Sequence, residues 1–200
     1  MIQKTQGALM KVLFFSGSLR QDSMNCKDAR HASEVASKID GVDAEFIALK
    51  DFDIPLYDGD IEEKDGMPEG VKRLKELFES ADGLYIASPE YNGSFSGALK
   101  NAIDWVSRPA SADEAPLSAF VGKFAAISSA TAGAFGGING MNALRLVLSV
   151  IKVNVIANQL AIPKAFNFFD KSGELNDDKI KAQIASQVEE FCDLLKKSVG

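Results

Sequence analysis

The stretch GLYIASPEYNGS, residues 83–94, runs from an apolar segment straight into a proline, a carboxylate, an aromatic ring and an Asn-Gly pair. Gly83 to Ala87 have no polar face, and a strand of that kind fits a parallel sheet covered on both sides. Asn92-Gly93 alone would turn the chain. Pro89, Glu90 and Tyr91 exceed what a turn needs, so the carboxyl end of this strand is expected to serve a ligand.

The same pattern recurs along the chain. Val12 to Phe15, Ala44 to Leu49, Phe124 to Ile127 and Val153 to Leu160 are further short apolar runs. Helical stripes lie between them: Val71, Leu74, Leu77, Phe78 and Ala81 after Pro68, and Leu99, Ile103 and Val106 after a possible N-cap at Ser96. The last helix carries Ile180, Ile184, Val188, Phe191 and Leu195 on one face, with Asn176 as its expected cap and Asp177 and Asp178 complementing its dipole. Alternating strands and helices predict an α/β fold with right-handed crossovers. Five strands favour a flavodoxin-like three-layer sandwich, a parallel sheet of order 2-1-3-4-5, over the six-stranded dinucleotide order. Ligands of such sheets bind where the winding reverses, here between strands one and three.

Bulk properties fit one domain spanning residues 1–200, with residues 1–10 expected to be a flexible N-terminus. A hydrophobic content of 46% and a charged content of 25% are globular values. The net charge of -6, without a Lys/Arg cluster, gives no footprint for nucleic acid. No window reads as a signal segment or a membrane span, so no membrane partner and a cytoplasmic location are expected. Cys26 and Cys192 lack CxxC spacing and read as reduced thiols, Cys192 as a small buried hydrophobe. No metal site is expected, and the acidic stretch from Asp58 to Asp65 lacks a calcium-loop order and reads as a solvated connection. His31 reads as a helix-face residue, and Trp105 as core.

The loop from Ser16 to Asn25 joins strand one to a helix starting near Asn25. Its hydroxyls, its amide and the Arg20 guanidinium, together with a helix N-terminus, suit the oxygens of a terminal phosphate. A serine-rich helix cap without a ligand is the simpler alternative. Gly17 is the loop's only glycine and no P-loop lysine follows it, which argues against a dinucleotide turn and against NTP hydrolysis. A phosphate there leaves the rest of its ligand to lie over Pro89 to Gly93, where Tyr91 offers a ring face and Asn92-Gly93 turns N–H groups outward. A planar, aromatic, phosphorylated ligand follows. The small residues from Ser128 to Gly137 read alone as a flexible turn, but beside the other two loops they allow close backbone approach to a ring.

GSLR with Ser23 and Asn25 behind it, PEYNGS followed by GALKNAIDW and SRP, and the Gly133 to Gly137 loop together resemble the NADPH-dependent FMN reductases, which include quinone, azo-dye and chromate reductases. The resemblance covers most of the first 140 residues. It implies noncovalent FMN, its phosphate held by Ser16, Ser18, Arg20, Ser23 and Asn25, and its ring lined by Pro89, Glu90, Tyr91, Asn92 and Gly93 with Ser128 and Gly133 at the ring edge. It further implies a homodimer or homotetramer with Trp105 and Arg108 as possible interface contacts. Electrons are expected to pass from NADPH or NADH through FMN to small-molecule acceptors in a ping-pong cycle: quinones, free flavin, azo compounds or metal oxyanions such as chromate. The flavin carries the chemistry, so no catalytic side chain is assigned and Glu90 becomes a cradle residue rather than an acid or base. Backbone N–H groups of residues 91–93 would stabilise charge on the flavin. The rival readings are a flavodoxin-type electron carrier without its own NAD(P)H site, which the Arg20 loop disfavours, and a non-catalytic scaffold.

Two positions depart from the family pattern. Ser96 stands where proline is usual and is expected to loosen the ring-binding loop. Asp28 replaces an apolar residue of the first helix and puts a carboxylate against the sheet.

Overall fold

The computed structural model describes residues 9–170 and 174–199. Its frame is a parallel sheet of β1 (Met10–Ser16), β2 (Val42–Ala48), β3 (Gly83–Ala87), β6 (Phe124–Ala130) and β7 (Asn154–Ile162), in the order β2-β1-β3-β6-β7. Between β3 and β6 lies a separate two-stranded hairpin of β4 (Glu90–Tyr91) and β5 (Ser94–Phe95). Setting that hairpin aside, the sheet order is the expected 2-1-3-4-5.

The continuous apolar runs are explained by two cores. Val12 and Phe14 of β1 point into a core with Ala29, Ala32 and Ala36 of α1 (Met24–Ala36) and with Ile184, Val188 and Phe191 of α6 (Asp178–Val199). Their neighbours Leu13 and Phe15 point the other way, to Leu74 and Phe78 of α3 (Glu69–Ser80), Leu99 and Ile103 of α4 (Gly97–Val106), and Met141 and Leu144 of α5 (Ile138–Val150). Alternate side chains along one strand therefore both enter apolar surroundings, as a sheet sandwiched between helix layers requires.

Several expectations need correction. Residues 1–8 of the expected flexible terminus lie outside the described residues, but Met10 already begins β1 and is buried. The acidic stretch contains α2 (Gly59–Asp65), capped by Asp58 and fastened by Glu62, which accepts from Tyr57 Oη at 2.9 Å and from Arg108 Nε at 2.9 Å. The cap of α6 is Asp177 rather than Asn176, because the Asp177 carboxylate accepts from Ile180 N at 2.9 Å. Trp105 is fully buried and its indole donates to Pro55 O at 2.8 Å, so it packs within the chain and offers nothing to an interface. Cys192 is buried as expected, and burial pushes its thiol up to about 11. Among the described residues no helix is long and apolar enough to cross a membrane.

Candidate functional site

The carboxyl ends of β1, β3 and β6 meet in a cleft of about 220 Å³ lined by Ser18, Arg20, Ser23 and Asn25, by Pro89, Glu90 and Tyr91, and by Ala130 to Ala132. Met24 and Phe166 complete its walls. This is the reversal point of the sheet, since β1 continues to β2 on one side and β3 to β6 on the other.

The first loop is built by its own serines. Ser16 Oγ accepts from Ser18 N at 3.1 Å, Ser18 Oγ from Arg20 N at 3.3 Å, and Ser23 Oγ caps α1 by accepting from Cys26 N at 3.3 Å. The loop thereby curls round the start of α1, whose first turn carries no carboxylate. Asp22 is turned aside to Lys27 at 2.5 Å, and the Lys27 hydrogen bond and charge hold its carboxyl below its ordinary range. Arg20 stays exposed at the mouth. Helix N–H groups, two hydroxyls and one exposed guanidinium form a donor set suited to a phosphate.

The second wall is the hairpin. Asn92 at φ 53° and Gly93 at φ 77° take the left-handed conformations of a tight two-residue turn, which is what the Asn-Gly pair supplies. Glu90 Oε2 accepts from Gly140 N at 2.8 Å, so the carboxylate caps α5 and fixes the hairpin to that helix. Tyr91 is 49% exposed, with its ring bordering the cleft.

The third loop is held from below. Thr131 N donates to Ile162 O at 3.1 Å, Ala165 N to Thr131 O at 2.9 Å and Lys164 N to Gly133 O at 3.1 Å. These bonds also seat the single turn Ala165–Asn167, which presents Phe166 at 60% exposure opposite Tyr91. Gly137 at φ 81° lies so close to Ser129 that a Cβ there would collide with the Ser129 side chain, so glycine is required where α5 begins.

Seven expected residues therefore line one cleft: Ser18, Arg20, Ser23, Asn25, Pro89, Glu90 and Tyr91. The others occupy different places. Ser16 lies beneath the loop it shapes, and Asn92 and Gly93 form the exposed hairpin tip. Gly133 is exposed on the loop, its carbonyl engaged by Lys164. Ser128 is fully buried and its hydroxyl donates to Asp28 Oδ2 at 2.6 Å, below the cleft. The Asn25 side chain is also committed, its amide donating to Ala130 O and accepting from Ala130 N, each at 2.9 Å. It is a clamp between α1 and β6, and only its backbone and its outer edge are left to the cleft. Phe166 and Met24 escaped the sequence reading. The signal for Phe166 was an aromatic cluster, Phe166, Phe168 and Phe169, just past the end of β7.

Ser96 has the opposite effect from the loosening expected of it. Its hydroxyl donates to Gly17 O at 2.5 Å and accepts from Leu99 N at 3.1 Å, capping α4 and tying the hairpin to the first loop. A proline could make neither bond.

The model for the NADPH-dependent FMN reductase family matches residues 10–167, from the start of β1 through the turn that carries Phe166. An NAD(P)H-dependent FMN reductase of Pseudomonas aeruginosa is 39% identical over 181 residues, covering 90% of this chain and 92% of that protein. A quinone reductase of Pseudomonas putida is 37% identical over 184 residues, covering 90% and 91%. The solved structure of FerB, a flavoenzyme NAD(P)H:(acceptor) oxidoreductase from Paracoccus denitrificans, matches with a TM-score of 0.80 at 29% identity, covering 95% of this chain and 99% of that one.

Proposed function

This chain belongs to the NADPH-dependent FMN reductase family, and we propose that its cleft holds FMN noncovalently, phosphate on the first loop and ring against the hairpin. The protein is an NAD(P)H-dependent FMN oxidoreductase. One observation supports the placement above all: the cleft that gathers Ser18, Ser23 and Arg20 at a carboxylate-free helix N-terminus also gathers Pro89, Tyr91 and Phe166. Those are the two chemistries that a phosphorylated aromatic ligand needs side by side. Ser18, Ser23 and Arg20 would hold the phosphate, while Ser16 and Asn25 shape and clamp the loop.

Bound FMN supplies a two-electron carrier between NAD(P)H and a second substrate. The chain's own part is to bind and orient. Pro89 and the Glu90–Gly140 bond hold the hairpin to α5, Tyr91 and Phe166 border the cleft, and backbone N–H groups of residues 91–93 would stabilise charge on a bound flavin. One exposed face beside Tyr91 and Phe166 would serve donor and acceptor in turn, hence a ping-pong order. Glu90 is engaged by α5 and is not needed as an acid or base. Quinones, free flavin, azo compounds and metal oxyanions such as chromate are the acceptors we infer, with NADPH or NADH as donor. A homodimer or homotetramer fits the exposed apolar residues on and before α5, Phe135, Ile138, Leu146 and Val150.

Arg20→Ala is expected to weaken FMN binding by about 10- to 100-fold, since a charge-assisted hydrogen bond contributes about 1.5–3 kcal/mol. Quenching of flavin fluorescence on titration measures this. An unchanged affinity would remove Arg20 from the phosphate site.

A further inference from the structure

Asp28 lies on the inner face of α1, one turn beyond Asn25, with no exposed surface. Ser128 of β6 donates to its Oδ2 at 2.6 Å. Tyr85 of β3 places its hydroxyl 3.4 Å from Oδ1 and 3.1 Å from Gln187 Oε1 of α6. Gln187 Nε2 donates in turn to Ile127 O and Asn158 O, each at 2.9 Å. Five elements, α1, β3, β6, β7 and α6, are thus joined by one polar chain under the cleft.

The hydrogens of that chain can be counted. Tyr85 has a single hydroxyl proton and two acceptors facing it. With a proton on Asp28, the carboxyl donates to Tyr85, Tyr85 donates to Gln187 and every member is satisfied. Without it, Ser128 still serves Oδ2, but either Asp28 Oδ1 or Gln187 Oε1 goes short of a donor. No positive charge relieves the ionised form: among the described residues no Lys, Arg or His bonds to Asp28. Lys27 pairs outward with Asp22, and His31, the next turn along α1, faces Glu34 at 3.9 Å. Burial, opposed by the Ser128 and Tyr85 hydrogen bonds, raises the Asp28 carboxyl to about 7, so both forms are accessible near neutrality. Burial and the neighbouring Asp28 charge push Tyr85 well above its ordinary value, which keeps its proton in place.

We propose that Asp28 takes up a proton from solvent when FMN binds, so that an anion at the start of α1 and a negative charge beneath it are not held together. The inference rests on the cofactor reading above. Asp28 follows the Ser23 cap by about 7 Å of helix rise and is fully buried, so solvent screens the repulsion weakly. Wild-type affinity for FMN therefore falls as pH rises and Asp28 ionises.

The test compares FMN dissociation constants of the wild type and Asp28→Asn from about pH 6 to pH 8.5. Asn mimics the protonated carboxyl, and the ligand's own phosphate titrates equally in both. The wild type is expected to lose affinity on the order of tenfold more than the variant, one unit of linkage. Parallel profiles overturn the proposal. Should the variant not fold, infrared difference spectra of the wild type at about pH 7.5 decide: a protonated-carboxyl band gained on adding FMN supports the proposal, and binding without that band overturns it. A protein that binds no FMN at any pH overturns the cofactor reading and this proposal with it, whereas tight binding without proton uptake overturns the proposal alone.

Discussion

Asp28→Asn is expected to raise the unfolding free energy at about pH 8 by roughly 4 kcal/mol and to leave it nearly unchanged at about pH 3. The folded chain holds a proton on Asp28 up to about 7, whereas the unfolded chain releases it near the ordinary value of 3.8. Between those points the folded state binds more protons than the unfolded one, so stability falls as pH rises through the window. Each unit of the difference is about 1.4 kcal/mol, which sets the size of the effect. Below the window both states are protonated and the substitution exchanges one neutral side chain for another. Above it the wild type carries a buried charge whose partners, Ser128 and Tyr85, are neutral. Denaturant unfolding of the two proteins at a series of pH values gives the comparison directly. A constant difference across the series would mean that Asp28 is ionised in the fold throughout.

Lys75→Met has a similarly large effect of opposite sign. Lys75 is 2% exposed and its ammonium donates to Val106 O at 3.2 Å and Arg108 O at 2.9 Å while pairing with Glu114 at 2.6 Å. It closes the C-terminal end of α4 and ties α3 to the segment before β6. Methionine keeps the stem but removes the charge facing the Glu114 carboxylate, which is 17% exposed and keeps its bonds from Ser118 Oγ and Ala110 N, and leaves two carbonyls without their donor. Burial would raise the Glu114 carboxyl, and the Lys75 and Ser118 hydrogen bonds more than reverse this, so the pair is mutually dependent. Breaking such a pair costs about 3–5 kcal/mol, or about 10 °C in Tm for a chain of this size. Because α4 begins at the cleft and Lys75 sits at its far end, FMN affinity of the folded protein is expected to stay as it was. Thermal melts and flavin titrations on one preparation separate the two effects. A loss of affinity without a loss of stability would place Lys75 in the site instead.

The sheet was legible because its central strands β1 and β3 leave no polar face, and a helix layer on each side hides both faces. Residues lining the cleft were legible where a residue type has few structural uses, as with Arg20 in a serine-rich loop or a tyrosine before Asn-Gly. Legibility failed where one side chain could serve either a ligand or the backbone. Asn25 and Ser128 look like ligand donors in sequence, and tertiary packing commits them to Ala130 and Asp28. Glu90 belongs to the same class, spent on the start of α5. The helix α5 was not among the stripes read from the sequence; Lys152, at φ 65°, reverses the chain between it and β7. Phe166 depends on a turn pinned by backbone bonds to Thr131 and Gly133, a contact between segments far apart in sequence.

Anaerobic rapid mixing of the FMN-loaded protein with NADPH tests the central claim most directly. The flavin absorbance is expected to bleach within seconds and to return when a quinone is added to the reduced protein after the nucleotide has been removed, as an NAD(P)H-dependent oxidoreductase working in turn on donor and acceptor requires. A flavin that stays bound and oxidised in excess NADPH would contradict the account.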